Sequence, residues 1–330
     1  MDKERVKYID VAKAYLIMLV VVGHILIVLN PDYSKIIYVC TQEIIYAFHM
    51  PAFFIIHGVL FDEIKWRDKS LLDWLKKRVY GLIIPYLFFE TIAIIWKAIF
   101  MNQSVQKGIY NMVTFQCNVG ADWFLIALFF GSLGLFICIR YFRNFENIVI
   151  SIIVVVIVGA LIISDVISNN IHYHIVIGRA FVAFIFVMIG FLGKEFFKND
   201  KYKSFLITSI AMLVTVIVAA LNIKIAGNDI FSFSIKNPVT LIVGGISGTI
   251  FILGVTYYSN SRLLEELGLH TLTIMGTHQL VMYLLLYKFP NLYNGNIIAG
   301  FIIAICIIIF EIPVVFLFDR YIPFLRVKNK

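Results

Sequence analysis

Residues Ile9–Leu29 read IDVAKAYLIMLVVVGHILIVL. The stretch is apolar apart from Asp10, Lys13, Tyr15 and His24. About 20 apolar residues carry an α-helix across the hydrocarbon of a bilayer. Ionisable residues are expensive inside that layer, so the three here mark either a boundary or a function. Asp10 and Lys13 interrupt the start of the run and no small-residue cleavage site follows it, which argues against a cleaved signal peptide.

The same pattern recurs along the chain. Spans are expected at Ile9–Leu29, Ile36–Phe61, Leu82–Met101, Ala121–Ile139, Ile148–Ser164, His174–Gly193, Phe205–Ile223, Val239–Tyr258, Leu269–Tyr287 and Ile297–Phe318. The runs are too long for barrel strands and lack period-two alternation. Composition agrees: of 330 residues, 61% are apolar and 15% charged, against about 25% charged in an ordinary globular domain. A soluble enzyme and a disordered chain are both excluded on that ground. The expected fold is therefore all-α: a polytopic membrane protein of about ten transmembrane helices, forming a single membrane domain over residues 1–330. Repeats, low-complexity tracts and linkers are absent from the sequence, and no connecting segment is long enough for an appended soluble domain.

The net charge of +8 does not point to nucleic acid, because the basic residues sit in short segments between apolar runs. With ten spans the connections alternate between two sides. One side collects 20 of the 28 Lys and Arg residues, including Lys65, Arg67, Lys76, Lys77 and Arg78; the other collects 5, among them Lys107 and Lys236. Positive charge favours the cytoplasmic side, so both termini are expected there. The four cysteines (Cys40, Cys117, Cys138, Cys306) show no CxxC spacing, and neither a metal site nor a disulfide framework is expected.

The ionisable groups at membrane depth are few: Asp10, Lys13, His24, Glu43, His49, His57, Glu90, Asp122, Arg179, His278 and Glu311. Lys13 and His24 are 11 residues apart, close to three helical turns, so they share a face roughly 16 Å apart along the axis. Lys13 reads either as a snorkelling interfacial lysine or as half of a joint site; His24 reads either as a helix–helix hydrogen bond or as an acid–base group. Glu43, on a span running the other way, falls at about the depth of His24, where a carboxylate would fix an imidazole tautomer. Pro51 should kink the helix beside His49. With His278 these residues form a column that suits either an acid–base site or a proton path. Arg179 needs a carboxylate, an anion or a sugar; Trp123 is either an interface anchor or a sugar-stacking ring. Lys76-Lys77-Arg78 reads as positive-inside bias or as a phosphate-binding cluster. No Gly-rich phosphate loop accompanies it.

These residues resemble the acyltransferase-3 family of membrane O-acyltransferases, in its fucose 4-O-acetylase-like branch. Tyr8-Ile9-Asp10-Val11-Ala12-Lys13 and Val22-Gly23-His24 match a signature of a basic residue, ten positions and a histidine. Phe48-His49-Met50-Pro51-Ala52-Phe53-Phe54 is similar to the second-helix motif, and Lys77-Arg78 through Ile84-Pro85-Tyr86 to a basic loop entering the third helix. Trp123-Phe124-Leu125, Arg179 with Phe186 and Gly190, and Thr277-His278-Gln279 match later motifs. The chain departs from the pattern at His57-Gly58, where Ser-Gly is usual, and at His270, where Asn or Ser is common.

The resemblance implies a transmembrane acyltransferase domain, acetyl-CoA as donor without a metal, and a sugar hydroxyl as acceptor, in a cell-surface polysaccharide such as capsule or exopolysaccharide or in its lipid-linked precursor. It places the chain in the bacterial plasma membrane, and a homo-oligomer is compatible with it. His24 is the expected general base, with Glu43 orienting it; Lys13 and Arg78 would hold the donor's phosphates; His49, Trp123, Arg179 and His278 would line the acceptor site. The alternative is a proton-coupled sugar or polysaccharide-precursor transporter with the same polar column, although the internal repeats typical of transporters are not found.

The charge asymmetry sets a topology that labelling can check. A cysteine introduced at Gln106 should react with a membrane-impermeant maleimide in intact cells, while one at Asp68 should stay protected. The reverse pattern contradicts the assignment.

Overall fold

The computed structural model describes residues 7–30, 34–141, 171–224, 227–259, 261–289 and 296–322. Nearly all of it is helix; the one two-stranded ribbon pairs β1 (Asn228–Asp229) with β2 (Ser234–Ile235). The helices are α1 (Lys7–Leu29), α2 (Ile36–Tyr46), α3 (His49–Val59), α4 (Glu63–Arg67), α5 (Leu71–Arg78), α6 (Ile84–Met101), α7 (Val105–Val113), α8 (Trp123–Tyr141), α9 (Ile171–Leu192), α10 (Lys194–Lys198), α11 (Phe205–Lys224), α12 (Pro238–Tyr257), α13 (Arg262–Leu269), α14 (Thr271–Lys288) and α15 (Ile297–Tyr321). Among the described residues eight segments are long and apolar enough to cross a membrane, and the bent pair α13–α14 makes a ninth. The span expected at Ile148–Ser164 lies outside the described residues. The protein is thus all-α and multi-pass, as its hydropathy requires.

Three of the spans are irregular, and each irregularity has a local cause. The span Ile36–Val59 breaks between α2 and α3 at Ala47-Phe48. Pro51 has no N–H for the Ala47 carbonyl four residues back, and its ring crowds that carbonyl. The helical hydrogen-bond ladder is therefore interrupted one turn ahead of the proline, while Ile36–Val59 continues as one span.

The span Leu71–Met101 starts about ten residues earlier than its apolar run. Ser70 caps α5 by accepting from the Asp73 N–H at 3.1 Å, and Trp74 is buried against Phe136 and Phe129. Lys77 and Arg78, expected in a loop, consequently lie on the last turn of a helix. A π-helical turn, Val79–Ile83, joins α5 to α6 just before Pro85, the usual device for absorbing a missing N–H. The third irregularity is an 80° bend between α13 and α14 at His270, whose Nδ1 lies 3.3 Å from Asp319 of α15.

The chain divides into two compact units. The first comprises Met1–Phe53, Glu195–Asn228 and Ile235–Lys330. Within it α1 packs against α2, α12, α13, α14 and α15 and is buried from Ile9 to Leu29 on several faces. The Asp10 backbone runs against Gly268 of α13 so closely that a Cβ there would overlap its carbonyl.

The second unit comprises Phe54–Lys194 and Asp229–Ser234. Its main packing is α8 on α9, with α5 and the π turn against α8. Here α3 and α9 meet backbone to backbone: a Cβ on Gly58 would strike the Val187 carbonyl, and one on Gly190 would strike the Ile55 carbonyl. Small residues at such a crossing let helices approach where no hydrophobic effect drives them together. This gives a physical reason for Gly58 and Gly190 in the motifs that contain them.

The reciprocal contact makes a stability prediction. Gly58→Ala and Gly190→Ala should each lower thermal stability in detergent, by about 1–3 kcal/mol for forced overpacking. Gly81→Ala serves as the control, because a Cβ there meets nothing within 4 Å. Equal melting temperatures for all three variants would rule out the close crossing.

Candidate active site

The first unit gathers most of the ionisable residues singled out in the sequence. His24 is half-buried on α1, beside Gly23, which is kept bare by the Tyr46 ring. Its Nδ1 lies 2.8 Å from Nε2 of His278 and 3.1 Å from the amide nitrogen of Gln279. His278 is buried on α14, and its Nδ1 lies 2.7 Å from the Ile274 carbonyl one turn back. His49 is buried on α3, with Nδ1 2.8 Å from the Ile45 carbonyl and its ring stacked on Tyr46 at 4.9 Å. It lies within electrostatic reach of His24. Of the residues expected in one column, His24 and His278 are in contact, while His49 bonds to the Ile45 carbonyl and stacks on Tyr46.

Glu43 is placed differently. Its carboxylate lies against Gly227, whose φ of +71° tucks the backbone under it. The hydrogen bonds of His24 go to α14, and Glu43 is not among its partners. Lys13 shares the helix with His24 but its Nζ is paired with Asp10 at 2.7 Å. Another carboxylate of this unit, Glu311, is fully buried and accepts from the Thr277 hydroxyl at 2.6 Å, one residue from His278.

The second unit holds Arg78, Trp123 and Arg179. The Arg179 guanidinium sits 5.5 Å from the Trp123 ring and 4.5 Å from the Phe231 ring. Its Nε donates to the Phe231 carbonyl at 2.6 Å, and Nη2 donates to the same oxygen. Arg179 and Trp123 lie with Phe115, Ile126, Ala127 and Val176 around a narrow crevice too tight to hold a water molecule. Arg78 lies over Trp74 at 5.6 Å, and its Nε is buried without a hydrogen-bond partner among the described residues.

Glu90, fully buried, accepts from the backbone N–H groups of Asn118 and Val119 and from the Asn118 amide at 2.6 Å. That clamp supports the turn leading to Asp122 and Trp123. Phe115 and Cys117 in the turn adopt φ of +58° and +62°, costly for non-glycine residues unless the surroundings enforce them. Burial pushes the Cys117 thiol well above the usual range, so it is no nucleophile at neutral pH. The four cysteines are free thiols, and no cluster of metal-ligating residues occurs among the described residues.

Sequence reasoning missed Gln279 as a partner of His24, although it adjoins His278. It also missed the Phe231 carbonyl that receives Arg179. The first was accessible from the Thr277-His278-Gln279 motif; the second is a backbone group and leaves no mark in the sequence.

A protein from Mesorhizobium japonicum, nodulation protein NolL, is 33% identical over 149 residues, which is 44% of this chain and 38% of that relative. The matched segment thus spans well under half the length of the relative. No solved structure matches the chain. Residues 6–319 match the acyltransferase-3 family, described as "Acyltransferase domain". The chain therefore belongs to the acyltransferase-3 family, with residues 6–319 as its acyltransferase domain.

Proposed function

We propose that this protein is a membrane O-acetyltransferase of the bacterial plasma membrane. It moves the acetyl group of acetyl-CoA to a hydroxyl of a sugar, in a cell-surface polysaccharide or its lipid-linked precursor. The observation that carries the reading is His24: an imidazole at membrane depth, hydrogen-bonded through Nδ1 to His278, in a chain of the acyltransferase-3 family.

A sugar hydroxyl is a poor nucleophile until a base takes its proton. A positioned imidazole with a bare ring nitrogen suits that task. In the step proposed, Nε2 of His24 accepts the hydroxyl proton while the oxygen attacks the thioester carbonyl. The new C–O bond forms, the C–S bond breaks, and the CoA sulfur leaves with the proton returned by the imidazolium. An ester and free CoA thiol result. Glu43, whose carboxylate lies against Gly227, takes no direct part in the step.

Donor binding needs cations for the CoA phosphates. Arg78 fits, because its buried Nε lacks a partner and guanidinium forks suit phosphate oxygens. Lys13 fits less well, its charge being already shared with Asp10. For the acceptor, Trp123 offers a ring face beside the Arg179 guanidinium, a pairing suited to a sugar.

His24→Ala should abolish acetyl transfer, by at least the 10²–10⁴-fold typical of positioned proton transfer, while acetyl-CoA still binds. Glu43→Gln should be milder. A well-folded His24→Ala protein with near-normal transfer would refute the mechanism.

Removing one charge-assisted phosphate contact costs about 1.5–3 kcal/mol, roughly tenfold or more in affinity. Arg78→Ala should therefore weaken acetyl-CoA binding in a titration by that much, and Lys13→Ala by less. Unchanged affinity for both would return them to a purely topological role.

A further inference from the structure

The two imidazoles on α1 and α14 are coplanar as well as close. Their planes differ by 2°, and their centroids are 5.1 Å apart, with His24 Nδ1 2.8 Å from His278 Nε2. The centroid separation exceeds the N···N distance by about two ring radii. The N···N line therefore runs through both ring centres and lies in both planes. This is an edge-to-edge arrangement, in which a proton on one nitrogen points at the in-plane lone pair of the other.

Which nitrogen carries that proton follows from the rest of the chain of contacts. The Ile274 carbonyl can only accept, so His278 Nδ1, 2.7 Å from it, must bear a hydrogen. A neutral imidazole has one N–H, so His278 Nε2 is bare and accepts. The proton between the rings therefore belongs to His24 Nδ1, and His24 Nε2 is left with its lone pair. The charged alternative, with both nitrogens of His278 protonated, would bury a cation that makes no ion pair with a carboxylate among the described residues, which is costly. Gln279 reaches the same His24 nitrogen. With its amide turned about the last bond, a change that leaves its shape the same, Oε1 accepts from that N–H as well.

We infer that His278 is a positioning residue: the Ile274 carbonyl–His278–His24 hydrogen-bond chain holds His24 in the Nδ1–H tautomer and presents Nε2 as the bare, basic nitrogen. The inference rests on His24 as the general base, and it gives to an imidazole on α14 the orienting role that a carboxylate plays in a triad. When Nε2 takes a proton, the imidazolium keeps its Nδ1–H bond to His278, so no rearrangement accompanies the step.

The tautomer can be read without any reaction. In protein labelled with ¹⁵N-histidine, reconstituted in bilayers and assigned by comparison with His24→Ala, magic-angle-spinning NMR should show His24 protonated at Nδ1 and bare at Nε2, and His278 likewise. A bare Nδ1 on His24 overturns the inference whatever the activity. Retained transfer in His24→Ala instead overturns the base assignment and leaves the tautomer result standing. In His278→Leu the His24 tautomer should become mixed, with kcat down roughly 10²-fold and KM for acetyl-CoA unchanged. His278→Gln, whose amide oxygen can accept the same N–H, should restore most of kcat. An unaltered His24 spectrum and normal kcat in His278→Leu would contradict the positioning role.

Discussion

At membrane depth every polar group must find its partner inside the protein, because the surrounding lipid offers none. Much of this structure is organised by that constraint. Glu90 is closed off by two backbone N–H groups and an asparagine amide. Arg179 is satisfied by a carbonyl and two aromatic faces, and Glu311 holds a threonine hydroxyl. The His24–His278 pair belongs to the same class of contact, with one difference: the second nitrogen of His24 is left for another use. A residue that serves only to join two helices spends its hydrogen bonds inside the protein. Under the proposed mechanism His24 keeps Nε2 for the acceptor hydroxyl, and Arg78 keeps its buried Nε, without a partner among the described residues, for the donor.

The irregular places in the helices coincide with these residues. His49 follows the break that Pro51 imposes on its span. Arg78 ends α5 where a π turn begins. His270 occupies the 80° bend from which α14 departs toward His278. A straight helix presents side chains at fixed angular steps, and a break lets a neighbouring side chain or ligand approach the freed backbone. Prolines 51 and 85 are thus connected to the site through the backbone they disrupt.

Much of this could be read from the letters alone. Hydropathy located most of the described spans to within a few residues, because a bilayer demands a long apolar run. It failed at α5, whose amphipathic turn around Trp74 and Ser70 cap fall below the apolar threshold, so a helical basic cluster was expected to be a loop. It also failed at α13, a short helix ahead of the 80° bend. Within the site, depth matching nominated both Glu43 and His278 as neighbours of His24. Depth has no angular information, and the choice between them rests on which face each helix turns inward. His278 is 254 positions away in sequence, so only packing could show it as the partner. The Phe231 carbonyl under Arg179 was beyond reach for a simpler reason: every residue has one.

The account stands on acetyl transfer to a hydroxyl within a chain built of membrane helices. Its most direct test is purified protein in proteoliposomes, given acetyl-CoA labelled in the acetyl group and a panel of sugar and lipid-linked sugar acceptors. The account predicts labelled, alkali-labile O-acetyl ester on one class of acceptor, formed in step with release of free CoA thiol. Proton-coupled movement of a sugar across the vesicle membrane, with neither ester nor CoA thiol produced, would contradict it and identify the polar column as a transport path.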